Sequence, residues 1–282
     1  MKRITTLIMG WIAFAFFATA NNPQIVTTPG KGYFPLVSSK QTAGIYIDNQ
    51  EEKVVEIAAD MFAADMKRVT GKQTEMFRIG NRKELPAQPI VVAGTIGRSR
   101  LIDWLANKKL IELDDIQGKW ESFVITTVEH PQHHTPMLVI AGSDRRGTAY
   151  GLTTLSEAIG VSPWYWWADV TPQKKNELYV EPGRYRQGEP SVQYRGIFIN
   201  DERFGGWAIW AEKTFDKETG KVGPKTYQKV FELLLRLKGN YLWPAMHNGS
   251  KAFNSNPENA RLADDYAIVM GSSHCEQMLR NN

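Results

Sequence analysis

The chain has 282 residues, 42% of them hydrophobic, 23% charged and 11% aromatic, a balance that excludes a disordered polypeptide and allows a substantial core. Its 34 Lys and Arg residues face 30 Asp and Glu, a net charge of +4, and they are spread without a basic stripe between aromatics, which excludes a nucleic-acid binder. Two domains are the default at this length, with a single (β/α)8 barrel of about 250 residues as the other architecture.

The first twenty residues read as a secretory signal. Lys2 and Arg3 precede an apolar run from Ile4 to Phe17, and Ala18-Thr19-Ala20 supplies small residues at the cleavage positions. Cleavage is expected after Ala20, giving a secreted or periplasmic protein with no membrane attachment. The apolar run is shorter than the roughly twenty residues that span a bilayer, and no lipid-accepting cysteine follows it. Cys275 is the single cysteine, so no internal disulfide forms and the thiol is expected to be buried and inert.

Residues 21–161 read as an α/β domain. Gly44 to Asp48 is a strand, and Val54, Val55, Ala58, Met61, Phe62, Met66 and Val69 recur at helical spacing from Glu51 to Thr70, with Gly71 at the expected stop. Pro89 to Gly94 is a buried strand, Arg98 to Ala106 a short helix, Ser122 to Val128 and Met137 to Ala141 two strands about a His/Pro turn, and Arg146 to Ile159 a helix. The composition then shifts over residues 162–190, a Pro/Gly-bearing linker that opens on Pro163-Trp164-Tyr165-Trp166-Trp167. Its aromatics suit a wedge between neighbouring units, or a platform for a sugar ring.

Residues 191–282 repeat a β-α-β-α-β pattern: a strand over Val192 to Asn200, a helix over Pro224 to Lys238, a strand over Asn240 to Pro244, a helix over Glu258 to Tyr266, and a strand over Ile268 to Gly271. Polar groups follow each strand: Asn200-Asp201-Glu202, Met246-His247-Asn248, and Ser272 to Glu276. In barrels of β/α units, side chains from successive strand ends converge at the C-terminal mouth, and eight units need about 200 residues or more. At most three units fit here. Singly, Asp201-Glu202 reads equally as a solvated turn, and His247 or His274 as a structural histidine. The coincidence at three strand ends favours a site. No HxH, HExxH or CxxC spacing signals a metal, and no G-x-S-x-G elbow signals a serine nucleophile.

Three strings make the region recognisable: Tyr194 to Glu202 (YRGIFINDE), Phe231 to His247 (FELLLRLKGNYLWPAMH) and Gly271 to Met278 (GSSHCEQM). Together they resemble glycoside hydrolase family 115, and Gly142 to Gly151 resembles the α/β domain that precedes the barrel there and in β-hexosaminidases. The resemblance implies a hexosaminidase-like α/β domain followed by the first units of a truncated (β/α)8 barrel. It implies an α-glucuronidase that removes glucuronic acid or its 4-O-methyl ether from xylan side chains with inversion, without metal or cofactor, and it admits a homodimer of the full-length protein. By motif, Asn200, Asp201, Trp243, His247, His274 and Glu276 line the uronic-acid pocket, with the catalytic acid on a later strand beyond Asn282. Asp201 and Glu276 are the candidates here for orienting water, and either histidine, if protonated, would favour a carboxylate. The sequence departs from the family at Arg203-Phe204-Gly205-Gly206, where a further acidic residue is expected, and at Ala267, where glycine is usual. As an incomplete barrel, this stretch is expected to be inactive alone and to expose apolar strand faces and unpaired edges. A non-catalytic carbohydrate-binding remnant is the alternative, and a hexosaminidase-type enzyme is a third reading that rests on the first domain alone.

Overall fold

The computed structural model describes residues 22–79, 85–130, 133–200, 206–246 and 250–273. The expected signal segment, and the expected site residues Asp201, His247, His274 and Glu276, lie outside those residues.

The first region runs β1 (Ile25–Val26), β2 (Phe34–Val37), β3 (Gly44–Ile47), α1 (Lys53–Thr70), β4 (Met76–Arg78), β5 (Ile90–Thr95), α2 (Arg100–Asn107), β6 (Phe123–Glu129), β7 (Pro136–Gly142), α3 (Arg145–Ala158), β8 (Leu178–Val180) and β9 (Arg184–Gln187). Six of these strands form one sheet in the order β4-β3-β5-β7-β6-β9, parallel from β4 through β7 and antiparallel at β6 and β9. Its central strands are buried on both faces, which explains the unbroken apolar runs of β5 and β7. Helix α2 packs on one face, through Leu101, Ile102 and Leu105, and α1 and α3 cover the other. The Ser99 hydroxyl caps α2, accepting from Ile102 N at 3.4 Å, and the Asp144 carboxylate caps α3, accepting from Gly147 N at 2.8 Å.

The expected linker does more than connect. β8 pairs with β1 and β2 in a small antiparallel sheet, and β9 extends the main sheet along β6. Leu178 and Val180 are buried, and the β9 edge is charged, with Arg184 and Arg186 both on Asp115. Strands of three and four residues with charged or isolated apolar positions carry too little periodicity to stand out from a Pro/Gly-rich background. The aromatics at the start of this stretch act as the wedge. Trp166 lies against Trp210 and Phe215 of the second region, with ring centroids at 6.1 and 5.2 Å, and Tyr165 donates to Glu232 Oε1 at 2.9 Å.

The second region runs β10 (Gly196–Phe198), α4 (Trp207–Thr214), α5 (Pro224–Arg236), β11 (Tyr241–Trp243), α6 (Pro257–Asp265) and β12 (Val269–Met270). Its three strands form a parallel sheet in chain order. α4 was not anticipated, since its eight residues, WAIWAEKT, give one buried position and no clear apolar stripe. α5 packs against α3 on the side away from the main sheet. Helix α3 is therefore buried along nearly its whole length, and one apolar cluster runs from β3 and α1 through Tyr150 and Leu155 to Leu234, Leu242 and Ile268.

Buried polar contacts fix the two regions in register. Asp65 of α1 accepts from Arg236 of α5 at 2.6 Å, with both side chains all but inaccessible to solvent. Burial pushes the neighbouring Glu232 carboxyl up, but Lys229 and Arg236 outweigh it and hold the group below its ordinary range. The fully buried Glu121 carboxylate binds Arg195, just before β10, and accepts from Asn240 Nδ2, just before β11, at 2.7 Å. Tyr150 donates to Gly239 O at 3.0 Å, and Arg146 donates to Ala267 O, just before β12, at 2.6 Å. Thus the start of every strand in the second sheet is tied to the first region.

Glu51 closes the turn between β3 and α1. It accepts from Thr95 N at 2.7 Å and Thr95 Oγ1 at 2.9 Å, and burial pushes its carboxyl up to about 7 from an ordinary 4.5. The folded state therefore holds a proton that the unfolded chain has lost, so this contribution is complete below about pH 4.5 and disappears as pH rises to about 7. Glu51→Gln is expected to remove that loss. Denaturant unfolding of the two proteins should differ in pH dependence by on the order of 3 kcal/mol across this window, and parallel profiles would contradict the assignment.

Candidate active site

Strands β10, β11 and β12 align Gly196 with Tyr241 and Phe198 with Trp243, and Tyr241 with Val269. Alternation then divides their side chains. Leu242 points to the helices and is fully buried, while Tyr194, Phe198, Tyr241 and Trp243 share the opposite face. On that face Tyr194 meets Tyr241 with centroids at 5.7 Å, and Phe198 meets Trp243 edge-on at 5.3 Å. Tyr194 and Phe198 are 50% and 40% exposed, so this aromatic face is open among the described residues. Among the described residues, β10 and β12 each pair on one side only.

The three strands end on one side of this sheet. Asn200, which is exposed, follows β10, Pro244 to Met246 follow β11, and Gly271 to Ser273 follow β12. The ladder continues past the strands, with Ile199 N donating to Trp243 O and Gly271 N to Leu242 O, both at 2.9 Å. Of the six expected pocket residues, Asn200 and Trp243 are therefore placed at adjacent strand ends. Among the described residues no group of three or more His, Cys, Asp or Glu side chains is arranged to hold a metal ion.

Close packing within this sheet was missed from sequence. A Cβ on Gly196 would stand 1.7 Å from Tyr241 O, so β10 lies against β11 at a distance no side chain allows. The signal was present in the spacing Tyr194-Gly196-Phe198 beside Tyr241-Trp243, which alternates as inward positions of neighbouring strands do. Ala267 has φ 54°, a left-handed conformation that favours glycine and costs other residues about 1–2 kcal/mol. Its departure from the expected glycine is thus a local strain at the end of α6, next to the carbonyl that Arg146 holds.

Residues 187–282 match the family described as glycosyl hydrolase family 115. This stretch belongs to glycoside hydrolase family 115. A solved structure described as a novel family GH115 4-O-methyl-alpha-glucuronidase, BtGH115A, with specificity for decorated arabinogalactans is 38% identical to the chain. The similarity covers 86% of this chain and 30% of that one, with a TM-score of 0.72, so the chain spans about a third of the length of that relative. A Flavobacterium johnsoniae chitobiase structure aligns over 89% of the chain and 33% of its own at 13% identity, with a TM-score of 0.48. No curated protein matches the chain.

The family 115 region depends on the contact at Gly196. Gly196→Ala should push β10 off β11 and destabilise the second region by about 1–3 kcal/mol, by the cost of overpacking a rigid backbone contact. Loss of amide protection at Ile197 and Tyr241 would register it, and wild-type stability in the variant would refute the packing argument.

Proposed function

We propose that the chain supplies the amino-terminal part of a secreted glycoside hydrolase that removes glucuronic acid or 4-O-methylglucuronic acid from polysaccharide side chains, with inversion. The observation that carries this reading is the family 115 match over the region where three parallel strands end together. In it, the strands are the first units of a (β/α)8 barrel whose remaining units cover the open aromatic face and bring the catalytic acid. Cleavage after Ala20 exports the protein, and residues 21–161 form a domain that holds the barrel's first strands.

Inversion needs one carboxylic acid to protonate the leaving oxygen and a carboxylate to activate water on the other face of the sugar, roughly 6.5–9.5 Å away. The residues of this chain serve binding. The Trp243 indole offers an apolar wall to the pyranose, and the Asn200 amide can donate to and accept from ring hydroxyls. Asp201 and Glu276 suit hydroxyl binding or the orientation of water, and His247 or His274, when protonated, suits the uronate carboxylate. No step requires a metal or cofactor. Glucuronoxylan is the proposed substrate. The specificity of the 38% identical glucuronidase for decorated arabinogalactans favours a second backbone for the same chemistry.

Joined to the barrel units that lie outside it, the chain is expected to release glucuronic acid or its 4-O-methyl ether from glucuronoxylan, with the β-anomer appearing first by proton NMR. The 282-residue chain alone is expected to release none. Release from arabinogalactan but not xylan would transfer the activity to the second backbone. A product formed first as the α-anomer, or no uronic acid from either polymer, would contradict the reading.

A further inference from the structure

Trp243 is held by a neighbour outside the six expected pocket residues. Its Nε1–H donates to Tyr241 Oη at 3.1 Å, two residues back on the same face of β11. The place where this pair meets lies over Gly271. A Cβ there would stand 1.9 Å from Tyr241 Oη and 2.6 Å from Trp243 Nε1, so the pair fills the volume that any other residue at 271 would need. Phe198 presses edge-on against the indole from β10 at 5.3 Å, and Tyr194 packs on the Tyr241 ring at 5.7 Å. The indole is thus bounded by β10 on one side and by the phenol seated on β12 on the other.

We infer that Tyr241 is a positioning residue: seated over Gly271, its hydroxyl accepts the Trp243 Nε1–H bond and sets the indole as a stacking wall of the strand-end pocket. This inference rests on the reading of that pocket as a uronic-acid site. Two consequences follow from the chemistry. The single donor of the indole is engaged within the protein, so Trp243 meets the substrate through its apolar ring, and selectivity for hydroxyls and the carboxylate falls to other strand-end groups. A fixed ring also loses less freedom on stacking, so the bond contributes to affinity without touching the sugar. A ring free to turn would present its N–H to the pocket and a poorer face to the pyranose.

The test uses the whole chain with 15N-labelled tryptophan, the Trp243 indole signal being assigned with Trp243→Phe. In the wild type that N–H should exchange slowly and resonate downfield of the exposed indoles. Tyr241→Phe, which removes only the acceptor, and Gly271→Ala, which removes only the socket, should each shift it upfield and speed its exchange. Titration of the protein joined to its remaining barrel units with methyl α-D-glucuronide should show about tenfold weaker binding in both variants. An unchanged Trp243 indole signal in Tyr241→Phe would overturn the inference, as would unchanged glucuronide affinity in that variant when Trp243→Ala abolishes binding. Failure of the wild type to bind the glucuronide would instead remove the pocket reading, with the indole signal still deciding whether Tyr241 orients Trp243.

Discussion

The structure turns on one buried carboxylate. Glu121 sits in the turn before β6 with φ 49°, its backbone N–H held by Asp144 Oδ2 at 2.8 Å. Its side chain is inaccessible to solvent, binds Arg195 and Asn240, and lies 3.6 Å from Arg146 Nη1. A charge so placed is tolerable only when its partners stay in position, and removing one partner of such a pair typically costs about 3–5 kcal/mol. Arg195 and Asn240 immediately precede β10 and β11, while Arg146 also holds the carbonyl that precedes β12. The polar contact therefore fixes the relative heights of three strands whose own ladders are two or three residues long.

From that constraint the rest of the site follows. Strands aligned at their starts end together, which sets Asn200, the stretch after Trp243 and Gly271 side by side. Helix α3 transmits the alignment because it is enclosed between the main sheet and α5, and its hydroxyls bridge both layers: Thr148 bonds Thr95 at 2.8 Å on the sheet side, and Thr153 bonds Leu235 O at 3.3 Å on the other. The buried Asp65–Arg236 pair closes the same seam farther along the helices. The first region thus acts as the base on which the family 115 strands are mounted, with their aromatic face turned away from it.

Much of this was legible in the sequence because the signals were long. The apolar period of Val54 to Val69 and the unbroken runs of β5 and β7 each specify one element and one burial pattern, and the structure has them within about two residues of the expected ends. The alternation of strand and helix after Val192 was equally plain, although β10 is shorter than the expected strand because Tyr194 and Arg195 lie before the ladder. What could not be read was anything that depends on contacts far apart in the chain. β8 and β9 owe their existence to partners 150 and 60 residues away, α4 to the tryptophans of the wedge, and the role of Glu121 to residues 74 and 119 positions later. Trp243 could be proposed as an apolar wall for a sugar from its type and place, whereas the seat of Tyr241 over Gly271 required the pairing of β11 with β12.

The most direct test of this account is hydrogen exchange across the whole chain carrying Glu121→Ala. If Glu121 aligns the three strands, the amides of Gly196 to Phe198, Tyr241 to Trp243 and Val269 to Gly271 should lose protection together, while Ile90 to Thr95 in the main sheet keep theirs. Unchanged protection in the three strands would contradict it, and would mean that the apolar packing of α3 against α5 aligns them without the buried charge.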